Sequence, residues 1–197
     1  MAYKNLHEFI QTLEKQQELK RVKAQVSADL EITEITDRIS KAHGPALLFE
    51  NVAGSEFPVL INAMGSEKRM ALGLGVDSLN DVGEQIADLI NMSNYAGWVK
   101  SATQLPKLSR MAAVFPIKVK KGPCQEVVMT DPDLTKLPIL KCWPQDGGPF
   151  ITLPLVMTKD PDTGQQNTGM YLMQVYDKKA TGMHLHCQKY GREIYEK

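Results

Sequence analysis

The sequence predicts an α+β fold in which an α/β region is followed by a β-rich region. Helical and strand-like segments alternate up to about residue 90, a pattern typical of an α/β domain. Nine of the eleven prolines lie at or after Pro106, and proline breaks helices but is tolerated in turns and at strand edges. We therefore expect an N-terminal α/β domain over residues 1–115 and a second domain over residues 116–197.

The first half contains four helix signals. Asn5 followed by Glu8 predicts a capping box ahead of apolar residues at helical spacing. Asp29 is expected to cap a second helix, whose apolar face carries isoleucines and which stops before Gly44. Residues 66–74 predict a third helix and the segment from Ser78 a fourth, with its aliphatic residues facing inward. Those aliphatic residues are Val82, Ile86, Leu89 and Ile90.

Strand signals occur in both halves. Alternation over 18–26 and the short apolar runs 46–49 and 59–63 predict strands in the first half. In the second half, residues 117–120, 126–129 and 150–158 predict strands, and 92–116 is expected to be a helical connection.

Residues 165–191 predict a β-hairpin that carries most of the candidate chemistry. Two runs rich in β-formers flank a polar turn over 177–182. Alternation in the second run places His184 and His186 on the face opposite Leu185 and Cys187. Polar groups crowded onto a partly buried strand pair indicate a pocket.

Charge and cysteine content exclude several classes of protein. Lys and Arg number 23, as do Asp and Glu, so a basic surface for nucleic acid is not expected. Three widely spaced cysteines without a CxxC motif predict reduced thiols in a cytoplasmic protein. The polar N-terminus argues against a signal peptide, and no apolar run is long enough to span a bilayer.

Several motifs in order along the chain resemble the UbiD family of decarboxylases, which includes the 3-polyprenyl-4-hydroxybenzoate carboxy-lyases. The resemblance runs from Tyr3 to about Tyr195. It implies an N-terminal α/β domain, a central split β-barrel of the flavin-reductase-like type, and a C-terminal domain. This chain would contain the first domain and an incomplete barrel over 116–197. The motifs are LHEFI at 6–10, LKRV at 19–22, GPALLFEN at 44–51, LPILKCWP at 137–144 and QNTGMY at 166–171.

The resemblance implies prenylated FMN as cofactor, held with a divalent metal, usually Mn²⁺, and a small aromatic or α,β-unsaturated carboxylic acid as substrate. A cofactor is chemically reasonable, because loss of CO₂ from an sp² carbon leaves electrons that no side chain accepts well. Asn167 matches the family's metal-ligand asparagine. The matches to flavin contacts are Thr152, Met170, Tyr171, Leu172, His184, Leu185, His186, Lys189 and Tyr190.

Two departures from the family bear on activity. Leu172 replaces an arginine that helps hold the substrate carboxylate, and leucine cannot make that contact. Leu185 replaces an aromatic residue common beside the flavin. The family's catalytic and metal-ligand glutamates would fall beyond Lys197. No catalytic residue is therefore assigned, and we expect the truncated chain alone to be inactive.

Other interpretations remain open for individual residues. Asn167 has the setting of a turn residue, and the pair of histidines could form a polar strand face or chelate a transition metal. Cys187 is expected in the core, together with Met170, Met173 and Met183.

The alternative function is a non-catalytic flavin-binding remnant, or a subunit completed by a companion chain. Open strand edges in an incomplete barrel also predict a homo-oligomer.

Overall fold

The computed structural model describes residues 3–94, 117 and 119–197. Its helices are α1 (Leu6–Lys15), α2 (Glu31–Lys41), α3 (Glu67–Leu74), α4 (Leu79–Asn94) and α5 (Tyr190–Glu196). Its strands are β1 (Leu19–Val26), β2 (Ala46–Val52), β3 (Val59–Ile61), β4 (Phe150–Ile151), β5 (Leu155–Lys159), β6 (Gln166–Met170), β7 (Met173–Val175) and β8 (Thr181–Met183). Mixed α+β composition is confirmed.

The chain forms two compact units, each built from two segments. One unit takes its residues from 1–12 and 66–130, and the other consists of Leu13–Gly65 and Asp131–Lys197. The second unit contains all the described strands and α5, and every candidate site residue lies within its segment Asp131–Lys197. The predicted division between 115 and 116 remains a prediction.

The first sheet has the order β1-β2-β3. Strands β1 and β2 are parallel and are joined through α2, while β3 runs antiparallel to β2. A parallel pair needs such a crossover, which explains the predicted alternation of strand and helix. Ile32 of α2 and Phe49 of β2 are fully buried in the core cluster. Ile35 and Ile39 pack against that cluster, as their spacing predicts.

Local signals set most helix boundaries. The backbone N–H of Glu8 donates to the Asn5 side chain at 3.0 Å, which confirms the cap of α1. Ser66 accepts a hydrogen bond from the backbone N–H of Arg69 at the start of α3. The predicted cap of α2 was wrong by one residue. Leu30 occupies the cap position with φ of 67° and makes no side-chain cap, whereas Glu31 accepts from the backbone N–H of Ser27 at 2.7 Å.

The predicted inward face of α4 was partly wrong. Ile86 is 53% exposed and Ile90 is 59% exposed in the described structure. Helical periodicity identified the helix correctly, but periodicity cannot tell which face another element covers. Residues 95–116 of the predicted connecting helix lie outside the described residues.

The second half forms two small sheets, a three-stranded one with the order β4-β7-β8 and a two-stranded one from β5 and β6. The predicted strand over 150–158 is interrupted between Ile151 and Leu155, where Pro154 cannot donate to a ladder. The strand predicted at 126–129 was wrong. Val127 and Val128 lie outside any strand and are 80% and 77% exposed. Of the strand predicted at 117–120, residues 117, 119 and 120 are not in a strand.

The predicted hairpin exists in a shorter form. β7 and β8 pair antiparallel, and Asp177 accepts backbone hydrogen bonds from Lys179 and Ala180 within the turn. β6 pairs with β5 instead, so the first predicted run divides between two sheets. The split β-barrel therefore remains a prediction. Within the described ranges, no helix is long and apolar enough to cross a membrane.

Candidate functional site

Tyr171 is the centre of the candidate site. It lies between β6 and β7 and is only 3% exposed. Its phenol oxygen accepts a hydrogen bond from the backbone N–H of Gly191 at 3.0 Å. A Cβ atom at Gly169 would lie 2.9 Å from Cζ and Oη of Tyr171, so the ring packs directly on that glycine. The ring is thus held between β6 and the start of α5.

Lys189 joins this centre from the residue before α5. Its ammonium donates to the carbonyl oxygen of Met170 at 2.9 Å and lies 5.0 Å from the centroid of the Tyr171 ring. The second contact has the geometry of a cation–π interaction. Met170 itself is 48% exposed, which corrects its predicted place in the core. The Lys189 ammonium therefore contacts the buried Tyr171 ring and is tied to the exposed Met170 through the backbone carbonyl of that residue.

The histidine segment lies beside Leu172. The backbone N–H of His184 donates to the carbonyl oxygen of Leu172 at 2.9 Å, and the rings of His184 and His186 meet edge to face with centroids 4.5 Å apart. Both histidines are exposed and lie after the end of β8. The predicted strand over 183–188 was therefore wrong beyond Met183, although the exposed His184 and His186 still alternate with the partly buried Leu185.

The cysteines and remaining methionines differ from each other in exposure. Cys187 is exposed and free, not a core residue as predicted, because the strand ends before it. Cys124 is also free and exposed, and Cys142 is free and partly buried. Met173 and Met183 face each other across β7 and β8 and are partly buried, in keeping with the predicted packing role.

Asn167 and Thr152 occupy different places. Asn167 lies in β6 opposite Thr158 of β5, and its amide nitrogen donates to the Thr158 hydroxyl at 3.3 Å. A hard cation would instead bind the amide oxygen. Thr152 is exposed in the link between β4 and β5, and Leu185 is partly buried. Across 3–94, 117 and 119–197, no three side chains of His, Cys, Asp or Glu converge as a metal site.

Sequence reasoning missed Asp160. This carboxylate is 1% exposed and accepts hydrogen bonds from the Tyr190 phenol at 2.9 Å and the Lys197 ammonium at 2.8 Å. Asp160 also begins the DPDTG turn at 160–164, a composition that signals a side-chain-stabilised turn. The turn was detectable in the sequence, but the side-chain partners of Asp160, which lie 30 and 37 residues later, were not.

The charges around Asp160 shift several pKa values. The hydrogen bond from Lys197 and the backbone N–H of Thr163 hold the pKa of the Asp160 carboxyl well below its usual range, although burial acts the other way. The hydrogen bond to Asp160, together with burial, raises the pKa of the Tyr190 phenol. The same carboxylate raises the pKa of Lys197. Near neutral pH these shifts therefore favour an ionised Asp160 carboxylate paired with a protonated Tyr190 phenol and a protonated Lys197 ammonium.

Two family models match the chain. The model described as the 3-octaprenyl-4-hydroxybenzoate carboxy-lyase N-terminal domain matches residues 10–89. The model described as the Rift-related domain of the same carboxy-lyase matches residues 116–197, which include all the candidate site residues.

Longer relatives match the whole chain. An uncharacterized protein of Archaeoglobus fulgidus is 47% identical over 197 residues, which are 100% of this chain and 40% of the relative. An uncharacterized protein of Aquifex aeolicus is 44% identical, over 99% of this chain and 41% of the relative. The chain therefore spans about two fifths of the length of these relatives.

Solved structures share the fold. Vanillic acid decarboxylase (ShVdcCD) of Sedimentibacter hydroxybenzoicus in its closed form is 28% identical with a TM-score of 0.73, over 98% of this chain and 40% of that chain. An evolved dimeric form of HmfF from Pelotomaculum thermopropionicum in complex with prFMN has a TM-score of 0.74 at 24% identity. That alignment covers 98% of this chain and 41% of that chain and shows likeness of fold.

Proposed function

Because the chain belongs to the UbiD family of carboxy-lyases, we propose that it forms part of a non-oxidative decarboxylase of aromatic or α,β-unsaturated carboxylic acids. The proposed cofactors are prenylated FMN and a divalent metal. The observation that carries this proposal is the convergence of Met170, Lys189 and the Leu172–His184 contact around Tyr171. These residues come from three separate stretches of sequence that the resemblance assigned to flavin contact.

The described side chains fit part of a flavin site. A flavin mononucleotide has a planar, largely apolar ring system and an anionic phosphate. The exposed side chains of Met170 and Leu172 offer apolar contact surface, and the Lys189 ammonium offers a partner for negative charge. When bound, prenylated FMN would supply the electron sink that decarboxylation at an sp² carbon needs.

The described side chains fit a divalent metal less completely than they fit a flavin. Asn167 offers one hard oxygen, which suits Mn²⁺ or Mg²⁺ near a phosphate. One amide oxygen does not hold a metal by itself, and the described residues contain no cluster of acidic or thiol and imidazole ligands. We therefore propose that Asn167 is one ligand in a set that the flavin phosphate and other groups complete.

Leu172 favours a second function for these 197 residues. A leucine at this position gives neither a positive charge nor hydrogen-bond donors for a substrate carboxylate. The alternative is therefore a non-catalytic flavin-binding module, or a subunit completed by a companion chain. In either case we propose no turnover by the 197 residues alone.

The quaternary and domain proposals have separate support. In the described structure β5 and β6 pair only with each other, so each has an edge that a second copy could extend. Self-association is therefore proposed.

The match to a Rift-related domain over 116–197 supports a split β-barrel there, and the gap between the two matched regions supports a domain boundary near 115.

The test of the proposed function is co-expression with a flavin prenyltransferase. We expect the purified chain to absorb between the near ultraviolet and the blue, and mass spectrometry to identify the modified flavin. The variant to compare with wild type is Lys189→Met. It keeps a similar side-chain length but removes the cation, so flavin occupancy should fall. A colourless wild-type protein that ignores added flavin would refute both functions. Turnover of an aromatic acid by the 197-residue chain would refute the proposal that these residues alone are inactive.

A further inference from the structure

The Asp160 carboxylate connects two structural elements through its two oxygens. Oδ1 accepts hydrogen bonds from the backbone N–H groups of Asp162 at 2.9 Å and Thr163 at 3.1 Å, which fixes the turn between β5 and β6. Oδ2 accepts from the Tyr190 phenol at 2.9 Å and the Lys197 ammonium at 2.8 Å, both on or next to α5. A single buried side chain therefore links the hairpin turn to the helix.

The chemistry of this link requires a carboxylate. Asp160 is 1% exposed, and a buried charge is costly unless it is paired and hydrogen-bonded. The ionised form accepts at both oxygens, which lets it serve four donors together. An asparagine of the same size offers one accepting oxygen and an NH₂ group, which would face either the Lys197 ammonium or the backbone N–H groups. The arrangement is thus specific for negative charge.

The same helix is also connected to the candidate site, at its first turn. The backbone N–H of Gly191, near the start of α5, donates to the phenol oxygen of Tyr171, and Lys189 donates to the carbonyl oxygen of Met170. The β5–β6 hairpin is therefore linked to α5 at its turn, through Asp160, and again at the end of β6, through Tyr171. Displacement of α5 would move Lys189 and Tyr171 together.

We infer that Asp160 is a positioning residue for the candidate flavin site. It holds α5 against the β5–β6 hairpin and thereby fixes the ammonium of Lys189 and the ring of Tyr171. The flavin part of this inference rests on the proposed function, whereas the link between hairpin and helix does not.

Asp162 provides a matched control within the same turn. Its carboxylate also lies near Lys197, at 3.5 Å, but its side chain is 70% exposed. Asp162→Asn makes the same change of charge and atoms as Asp160→Asn, two residues away. The pair of variants therefore separates a general charge effect from the loss of the buried link.

The experiment compares wild type, Asp160→Asn and Asp162→Asn by hydrogen–deuterium exchange and by FMN titration. In Asp160→Asn we expect faster amide exchange over 167–172 and over 187–196. FMN binding should weaken by about tenfold, because a displaced Lys189 ammonium would lose one charge-assisted hydrogen bond to the negative charge of FMN. Asp162→Asn should resemble wild type in both measurements.

A second variant covers the case in which Asp160→Asn does not fold. Lys197→Met removes the donor that directly follows α5 and leaves the turn contacts in place, so exchange should rise over 187–196 and stay low over 160–165. Unchanged exchange of α5 in both Asp160→Asn and Lys197→Met would overturn the inference, as would equal effects of Asp160→Asn and Asp162→Asn. If wild type binds no FMN, the proposed function fails, while the exchange data still decide whether Asp160 holds the helix.

Discussion

The phenol oxygen of Tyr171 accepts a buried hydrogen bond of 3.0 Å from the backbone N–H of Gly191. Such a close approach requires a residue without Cβ on the helix. A Cβ at Gly191 would lie 2.6 Å from Cζ of Tyr171, and one at Gly169 would meet the same ring from β6. The tyrosine is thus fixed by two glycines from separate elements.

Gly191→Ala should destabilise the protein. The added methyl group would collide with the buried Tyr171 ring, and overpacking of this kind costs about 1–3 kcal/mol. The measurement is the urea dependence of unfolding, followed by circular dichroism. Gly83→Ala is the control, because Gly83 lies in α4 and a Cβ added there would meet open space. It should stabilise by about 0.5–1 kcal/mol through helix propensity. A Gly191→Ala protein as stable as wild type would contradict the packing described.

Much of the first half follows from local sequence signals. The cap at Asn5, the strand β1 and the isoleucine face of α2 depend on neighbours within a few residues, although burial along β1 does not alternate because its pairing with β2 shifts between Val22 and Gln25. These elements were predicted with nearly correct bounds. The cap of α2 was misassigned because aspartate is a preferred cap residue and leucine is not, yet Leu30 occupies the cap position with φ of 67°.

The second half depends more on distant contacts. Pro154 divides one predicted strand. β6 pairs with β5, whereas the hairpin predicted from the sequence would have paired it with β8. Pairing choices of this kind are decided by tertiary packing, which a strand pattern does not contain. The candidate residues at 170–172, 184 and 189 were found through resemblance to a family. Asp160 was not, because its role appears only when Tyr190 and Lys197 fold back onto it.

The contribution of Asp160 to stability should depend on pH in the acid range. The folded state holds the pKa of this carboxyl below its ordinary value, so the unfolded state binds the proton more tightly. Its stabilising effect is therefore complete above the ordinary aspartate pKa of about 3.9 and declines as the pH falls below that value. We expect the gap in urea midpoint between wild type and Asp160→Asn to be constant from pH 7 to about pH 5 and to shrink toward pH 2.5. If the gap in urea midpoint widens on acidification, the folded state does not lower the pKa of Asp160.

Asn167 should affect metal binding only when flavin is present. With one hard ligand and no acidic cluster in the described residues, the chain alone should bind Mn²⁺ weakly. FMN adds phosphate oxygens, so Mn²⁺ affinity measured by electron paramagnetic resonance should rise when FMN is added. Asn167→Leu, which is similar in size but lacks the amide oxygen, should remove that rise. Gln166→Leu, one position earlier with an exposed side chain, should keep it. Equal Mn²⁺ binding by the two variants would exclude Asn167 as a ligand.

Leu172→Arg should give the site a carboxylate anchor at little structural cost. The Leu172 side chain is 39% exposed, and the contact that fixes the residue runs from the His184 backbone N–H to its carbonyl oxygen. A side-chain replacement therefore leaves that contact intact, and the free energy of unfolding should change by no more than about 0.5 kcal/mol. The guanidinium can bind a carboxylate with two parallel hydrogen bonds, each assisted by charge. In the flavin-loaded chain, affinity for an aromatic carboxylate such as vanillate should rise by about tenfold or more, as measured by calorimetry. Leu172→Gln separates charge from polarity, since it adds hydrogen-bonding groups without a cation. If both variants bind the acid equally, position 172 does not contact the carboxylate, and leucine there does not explain a lack of turnover.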